Sequence, residues 1–280
     1  MERIWLRSYP SGVPAEIEPD YANLVEAIEE AARRFAERPA YVCMGRSLTY
    51  AELDRLSLHF AAFLRMDLGL EPGARVALML PNVLQYPVAL FGALRAGCTV
   101  VNVNPLYTAR ELEHQLVDSG AGTLLVLENF AHTVARLGDA VPRNVVVTGL
   151  GDLLGAPKRW LVNFVVRHVR KMVPAWRLPG HVRFDDALAR GARRSFEPVT
   201  PAPGDIAFLQ YTGGTTGRGA HARQHLRQPR PGARVDSSVR RGGTRTHRHR
   251  AAALSHLLAD RELPDVRQPR CDQSADHQSA

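Results

Sequence analysis

Apolar residues return at helical spacing after Asn23, where Leu24, Ile28, Ala31 and Phe35 share one face. Asn23 is a natural N-cap, so the spacing predicts a helix to about Ala36. Residues 41–44 and 47–50 are short β-rich runs around Gly45-Arg46, the pattern of a tight hairpin. Thr49 and Glu52 then form a capping box, and Leu53, Leu56, Phe60 and Phe63 continue with helical period. After the turn Glu71-Pro72-Gly73, residues 75–80 are an apolar run ended by Pro81, which predicts a buried strand. A helix from about Val83 to Ala96 follows, with Gly97 suited to the C′ position. Residues 99–103 predict the next strand, and Thr108 with Glu111 a second capping box, opening a helix to about Val117. Residues 122–127, 144–148 and 206–210 predict further buried strands. Strands alternating with helices imply βαβ units, hence an α/β fold with a largely parallel sheet and flanking helices.

Residues 158–176 break this pattern. Apolar side chains there are interleaved with Lys158, Arg159, Arg167, Arg170 and Lys171, with Trp160 and Trp176 near the two ends. Two readings are open: a peripheral contact with an anionic membrane surface, or a helix packed on its own domain with a solvated basic face. His114 and His132 fall in helical contexts and read as packing or surface residues. Asn102 and Asn104 read as turn residues beside Pro105.

Charge divides the chain in two. The net charge is +8. Residues 1–217 hold 23 basic and 22 acidic residues, whereas residues 218–280 hold 13 Arg, no Lys and 6 acidic residues. The basic character therefore belongs to the tail. That tail has no Phe, Tyr or Trp and almost no apolar periodicity, so the expected organisation is an ordered part over 1–217 and a low-order, Arg-rich tail over 218–280. Arginine can neutralise phosphates, but no aromatic residues are interleaved for base stacking, so nucleic acid is not an expected partner. His247 and His249 lack a completing metal-ligand set. Three cysteines without paired spacing argue against a disulfide framework. No apolar leader and no run of about 18 apolar residues stand out, which points to a cytoplasmic protein.

The densest chemistry lies at Tyr211-Thr212-Gly213-Gly214-Thr215-Thr216-Gly217, directly after the strand at 206–210. Glycines let a backbone approach an anion closely, and successive N–H groups with threonine hydroxyls can cradle phosphate. A plain flexible turn has the same composition. The loop is not a Walker A motif, since no Lys-Ser/Thr follows at the required spacing.

This loop is similar to the phosphate-binding signature of the adenylate-forming (AMP-binding) ligases, which usually carry Ser at the position of Gly213. Bacterial long-chain fatty-acid–CoA ligases commonly have Gly there, and residues 1–6, 41–45, 81–87, 101–107 and 127–132 resemble that subfamily too. The resemblance covers 1–217 and then stops: the family continues with small residues, a lysine and a glycine, where this chain has Arg218-Gly219-Ala220 and no later lysine. It implies a partial N-terminal domain of the adenylate-forming fold. It also implies ATP-dependent activation of a fatty acid through acyl-AMP, then thioester formation with CoA, with Mg²⁺ as cofactor. Tyr211, Thr212, Gly213, Gly214, Thr215, Thr216 and Gly217 would then bind the ATP phosphates. No catalytic residue and no metal ligand is assigned by it. The family's Tyr-Gly-x-Thr-Glu motif, ribose-binding Asp segment, hinge and catalytic lysine have no counterpart here, so this chain is expected to lack ligase activity. A nucleotide- or acyl-binding module with a basic, nucleic-acid-interacting tail is the alternative.

The tail itself carries one more signal. Read one nucleotide later, permitted codons for residues 249–279 spell Thr-Ala-Leu-Pro-Leu-Tyr-His-Ile-Phe, one free position, then Leu-Thr-Glu-Asn-Cys-Leu-Thr-Phe-Val-Asn-Leu-Gly-Ala-Ile-Asn-Leu-Leu-Ile-Thr-Asn-Pro. Ser255 as TCA before CAT gives CAC for His, for example. The shifted text is apolar and resembles the family's continuation after its phosphate loop. Residues from about 218 onward therefore read as out-of-frame translation.

Overall fold

The computed structural model describes residues 4–10, 13, 21–202, 204–212 and 222–227. Helix α1 (Leu24–Arg34) starts where expected: the Asn23 side chain accepts from Glu26 N at 2.9 Å. Its buried residues are Val25, Ile28 and Ala32, one position round from the expected face. Strands β1 (Pro39–Cys43) and β2 (Arg46–Thr49) pair antiparallel. Their two-residue turn puts Met44 at φ 50° and Gly45 at φ 73°, the primed geometry that suits the twist of a hairpin. Helix α2 (Tyr50–Ala62) opens on the predicted capping box, with Glu52 N donating to Thr49 Oγ1 and Thr49 N to the Glu52 carboxylate. Cys98 is free and buried.

The main sheet has the order β7-β6-β5-β3-β4-β8-β9. Its members are β3 (Arg75–Met79), β4 (Thr99–Asn102), β5 (Thr123–Leu127), β6 (Asn144–Thr148), β7 (Val182–Arg183), β8 (Ile206–Thr212) and β9 (Ala222–Arg227). The first six are mutually parallel, and β9 runs antiparallel to β8. The helices between them are α3 (Gln85–Arg95), α4 (Ala109–Ser119), α5 (Ala131–Val134), α6 (Lys158–Phe164) and α7 (Phe184–Gly191). A parallel sheet covered on both faces needs apolar side chains at consecutive positions. Val76, Leu78, Leu125 and Val146 face a core shared with α1, α2, α3 and α7. Ala77, Met79, Leu124, Val126 and Val147 face a second core shared with α4 and α5.

Strand β9 comes from the stretch beyond residue 217. Its register with β8 runs from Ile206↔Arg227 to Thr212↔Ala222. An open sheet edge offers unpaired backbone groups to any extended segment, and that pairing needs no apolar period. Helix α7 was not expected either: no side-chain cap marks its start, and it has only eight residues.

Arg95, on α3, is buried at 2% exposure. Its guanidinium donates to Asp54 O at 2.7 Å and Ser57 Oγ at 2.8 Å, and it pairs with the Asp54 carboxylate. Arg95→Ala is expected to lower stability by about 3 kcal/mol, because it opens a cavity and leaves the Asp54 carboxylate without its buried cation. Arg95→Met, which keeps most of the volume, should cost less than half of that in urea denaturation. Equal losses would show that the charge, not the packing, holds the α2–α3 contact.

Candidate functional site

Strand β8 delivers the Gly/Thr loop to the carboxyl end of the parallel sheet, the edge where ligands bind in open α/β folds. Apolar Ala207, Phe208 and Leu209 lock the strand between the two cores. Tyr211 is 1% exposed, and its hydroxyl donates to the Asp118 carboxylate at the end of α4. This ties the last buried residue of β8 to a helix on the far side of β4. Thr212 is the final residue of β8, paired through its backbone with Ala222. Gly213, Gly214, Thr215, Thr216 and Gly217 lie outside the described residues.

A polar chain runs beneath the loop's entry. Tyr86 donates its hydroxyl to Asn102 Oδ1 at 2.9 Å, and Asn102 Nδ2 donates to Gln210 Oε1 at 2.9 Å. Burial, with Tyr41 nearby, pushes the Tyr86 phenol well above its usual range, so it stays a neutral donor. Gln115 Nε2 fixes the same strand end by donating to Asn102 O at 2.7 Å. Asn102 is therefore part of a network across three elements, not the turn residue the sequence suggested. Asn104 does serve the turn: its Oδ1 accepts from Leu106 N at 3.1 Å. His132 Nδ1 sits 3.1 Å from Asn129 O, and His114 is exposed.

Acidic groups at the carboxyl ends of β5 and β6 are already engaged. Glu128, 1% exposed, receives Arg167 through two nitrogens at 3.0 and 2.6 Å. That bidentate bond raises the Arg167 pKa. Asp152 accepts from Gly149 N at 2.6 Å, Thr148 Oγ1 at 3.1 Å and Arg183 at 3.3 Å. Asp118 holds Tyr211. Among the described residues no cluster of three His, Cys, Asp or Glu could hold a metal ion. A cavity of about 310 Å³, lined by Gly138, Pro142, Arg143 and Pro179, opens near the start of β6, away from the loop. The Tyr211–Asp118 bond and the Glu128–Arg167–Arg183–Asp152 cluster escaped the sequence reading. Their partners lie tens of residues apart, with no spacing to announce them.

The sequence pattern that defines AMP-binding enzymes matches residues 28–219. The chain belongs to the AMP-binding enzyme family. The family match thus takes in the whole Gly/Thr loop and ends two residues beyond it. A long-chain-fatty-acid–CoA ligase of Yersinia pestis is 52% identical over 219 residues, covering 78% of this chain and 39% of that ligase. A ligase of the same name from Salmonella typhimurium is 47% identical over 261 residues, covering 92% of this chain and 43% of the relative. The chain thus spans about two fifths of the length of the relatives it matches. The AMP-binding fold is seen again in a crystal structure of a long-chain-fatty-acid-CoA ligase from Archaeoglobus fulgidus. That structure has a TM-score of 0.59 and 24% identity, covering 78% of this chain and 39% of that one. The anthranilate CoA ligase AuaEII in complex with anthranoyl-AMP gives a TM-score of 0.57 at 21% identity, covering 74% and 35%. Six parallel strands flanked by helices are the N-terminal adenylate-forming architecture in this AMP-binding enzyme. No helix among the described residues is long and apolar enough to cross a membrane.

Proposed function

We propose that the chain derives from a fatty-acid–CoA ligase and that residues 211–217 are its phosphate loop. The observation that carries this reading is the 52% identity to a long-chain-fatty-acid–CoA ligase over 219 residues, in a chain whose loop sits at the end of β8. In the reaction a carboxylate oxygen of the fatty acid attacks the α-phosphorus of ATP, and pyrophosphate leaves. The CoA thiol then attacks the acyl carbon, loses its proton, and expels AMP.

Most of the first step is positioning and stabilisation of phosphate charge. Gly213, Gly214 and Gly217 supply backbone N–H donors close to the phosphates, and Thr212, Thr215 and Thr216 supply hydroxyls. Tyr211 anchors the entry to the loop through Asp118. A divalent cation, when bound, would offset phosphate charge in such a reaction. The second step needs a mobile domain that brings further groups to the acyl-AMP.

The reading is tested by restoring the frame after codon 217 and supplying palmitate, ATP, Mg²⁺ and CoA. Acyl-CoA formation is expected. Thr215→Val with Thr216→Val in that protein should cut the rate on the order of 10²-fold. A frame-restored protein that folds, binds ATP and forms no acyl-AMP with any fatty acid would sink the proposal.

A further inference from the structure

Residues 158–172 form a helix turned inside out. Helix α6 continues through a π-helical turn at Val165–Val169 and ends where Arg170 N donates to Val165 O at 2.7 Å and Met172 N to Val166 O at 2.9 Å. Its inner face is polar. Arg159 pairs with Asp185. Asn163 accepts from Gly151 N at 2.7 Å and donates to Asp152 at 2.9 Å. Arg167 grips Glu128. These three lie four residues apart, on one side of the element. Val166, 7% exposed, is the only fully buried apolar residue of α6 and its π-helical extension.

The outer face is apolar. Trp160 is 72% exposed, Leu161 64%, Phe164 57%, Val169 62% and Met172 51%. Five of the twelve large apolar side chains most exposed among the described residues fall within these 13 positions. A surface helix of a soluble domain shows the reverse arrangement, with apolar residues inward. A contiguous exposed apolar strip marks a surface that something else covers.

Charge says what covers it. Between Asp152 and Asp185 the chain has no acidic residue and seven basic ones. Arg159, Arg167 and Arg183 are held by carboxylates of the domain. Lys158, Arg170, Lys171 and Arg177 are exposed and have no carboxylate partner among the described residues. The Lys158 amino group leans back onto Met44 O of the β1–β2 turn. An apolar strip with a tryptophan at one end and cations along its border matches the boundary between anionic headgroups and acyl chains.

We propose that the outer face of residues 158–172 docks onto an anionic lipid surface, with Trp160, Leu161 and Phe164 entering the headgroup boundary and Arg170 and Lys171 lying over lipid phosphates. This takes the first of the two readings of the sequence with one change: two of the five cations, Arg159 and Arg167, pair with carboxylates of the domain, and the apolar residues supply the contact. The docking holds whatever chemistry the domain performs.

The test uses the full 280-residue chain and vesicles of phosphatidylcholine, with and without about one third phosphatidylglycerol. The Arg-rich tail can adsorb to anionic vesicles by charge alone, so sedimentation is paired with quenching by brominated acyl chains. The emission lost in Trp160→Phe reports the one tryptophan of interest. Quenching of that emission on anionic vesicles is expected. Trp160→Ser/Leu161→Ser/Phe164→Ser should weaken partitioning by about tenfold or more with unchanged circular dichroism. Arg170→Glu/Lys171→Glu should weaken it by a similar factor, with a smaller salt dependence. Sedimentation with vesicles while the Trp160 emission stays unquenched would overturn the proposal and leave tail adsorption. So would a concentration-dependent dimer whose formation alone shields Trp160.

Discussion

The 280-residue chain, purified and given palmitate, ATP and Mg²⁺, is expected to show no fatty-acid-dependent exchange of pyrophosphate into ATP. The expected deficit is at least about 10³-fold against the same gene with its frame restored. The reasoning is about geometry. A phosphate loop on its own offers N–H and hydroxyl donors, and removing a single well-placed donor already costs on the order of 10²-fold. Here the acidic groups near the loop's strand are committed elsewhere. Glu128 and Asp152 are consumed by Arg167 and Arg183, and Asp118 by Tyr211. Among the described residues no cluster of three His, Cys, Asp or Glu could hold a metal ion. Positioning of both reactants supplies most of the acceleration in such a displacement. Radiolabelled pyrophosphate exchange measures this directly. Exchange within tenfold of the frame-restored protein would mean that residues 1–217 suffice for adenylation.

The second large effect is on stability. Gly191→Ala is expected to cost about 3 kcal/mol or more, enough to unfold most small domains at elevated temperature. Gly191 closes α7 where that helix crosses α2, and a Cβ there would lie 1.8 Å from the His59 carbonyl oxygen and 2.8 Å from its carbon. Neither is a flexible side chain, so the helices themselves must part. Parting them exposes Phe184 and Leu188 of α7 and loosens Phe184 from Phe60, whose rings sit 5.4 Å apart. Gly92→Ala meets the Ser57 carbonyl oxygen and the Phe60 ring at 2.9 Å; the ring can turn but the carbonyl cannot, so it should also destabilise, by less than Gly191→Ala because the overlap is smaller. Gly122→Ala, with nothing within 4 Å of the added carbon, is the control and should change the urea midpoint little. A Gly191→Ala midpoint indistinguishable from the Gly122→Ala midpoint would show that α7 is not seated on α2.

The parts of the fold that a reader of the sequence could draw share one property: their signals are local. Thr49 with Glu52 and Thr108 with Glu111 each announce a helix start within four residues, and both capping boxes form. Gly97 takes a positive φ of 73° just after α3, as its place in the pattern suggested. The buried strands are short apolar runs with a breaker at one end, as at Pro81. Helix α7 lacks such a signal, because its stability comes from the approach at Gly191 and from Phe184 in the core, contacts with residues over a hundred positions away. Helix α6 misled for a different reason. Its composition is amphipathic, but composition cannot say which face turns inward. That was decided by Glu128, Asp152 and Asp185, carboxylates that claim Arg167, Asn163 and Arg159. Asn102 was likewise read from its neighbour Pro105, whereas its role is set by Tyr86 and Gln210 on two other elements. The Gly/Thr loop was conspicuous in sequence because its chemistry is written in consecutive residues. Of its members, the described structure reaches Tyr211 and the backbone of Thr212.

The central claim is that one gene for a fatty-acid–CoA ligase changes frame near codon 217. Resequencing codons 210–280 from fresh genomic DNA tests it most directly. The account predicts that codons 249–279, read one nucleotide later, encode Leu-Pro-Leu-Tyr-His-Ile-Phe and the apolar stretch that follows. That requires Ser255 to be TCA, and Leu254 to have A as its third base. A single inserted or deleted base near codon 217 should join that frame to the one encoding Tyr211–Gly217. Third bases that put stop codons or polar residues throughout the shifted frame would contradict the account, and residues 218–280 would then stand as a tail that this protein encodes in its own right.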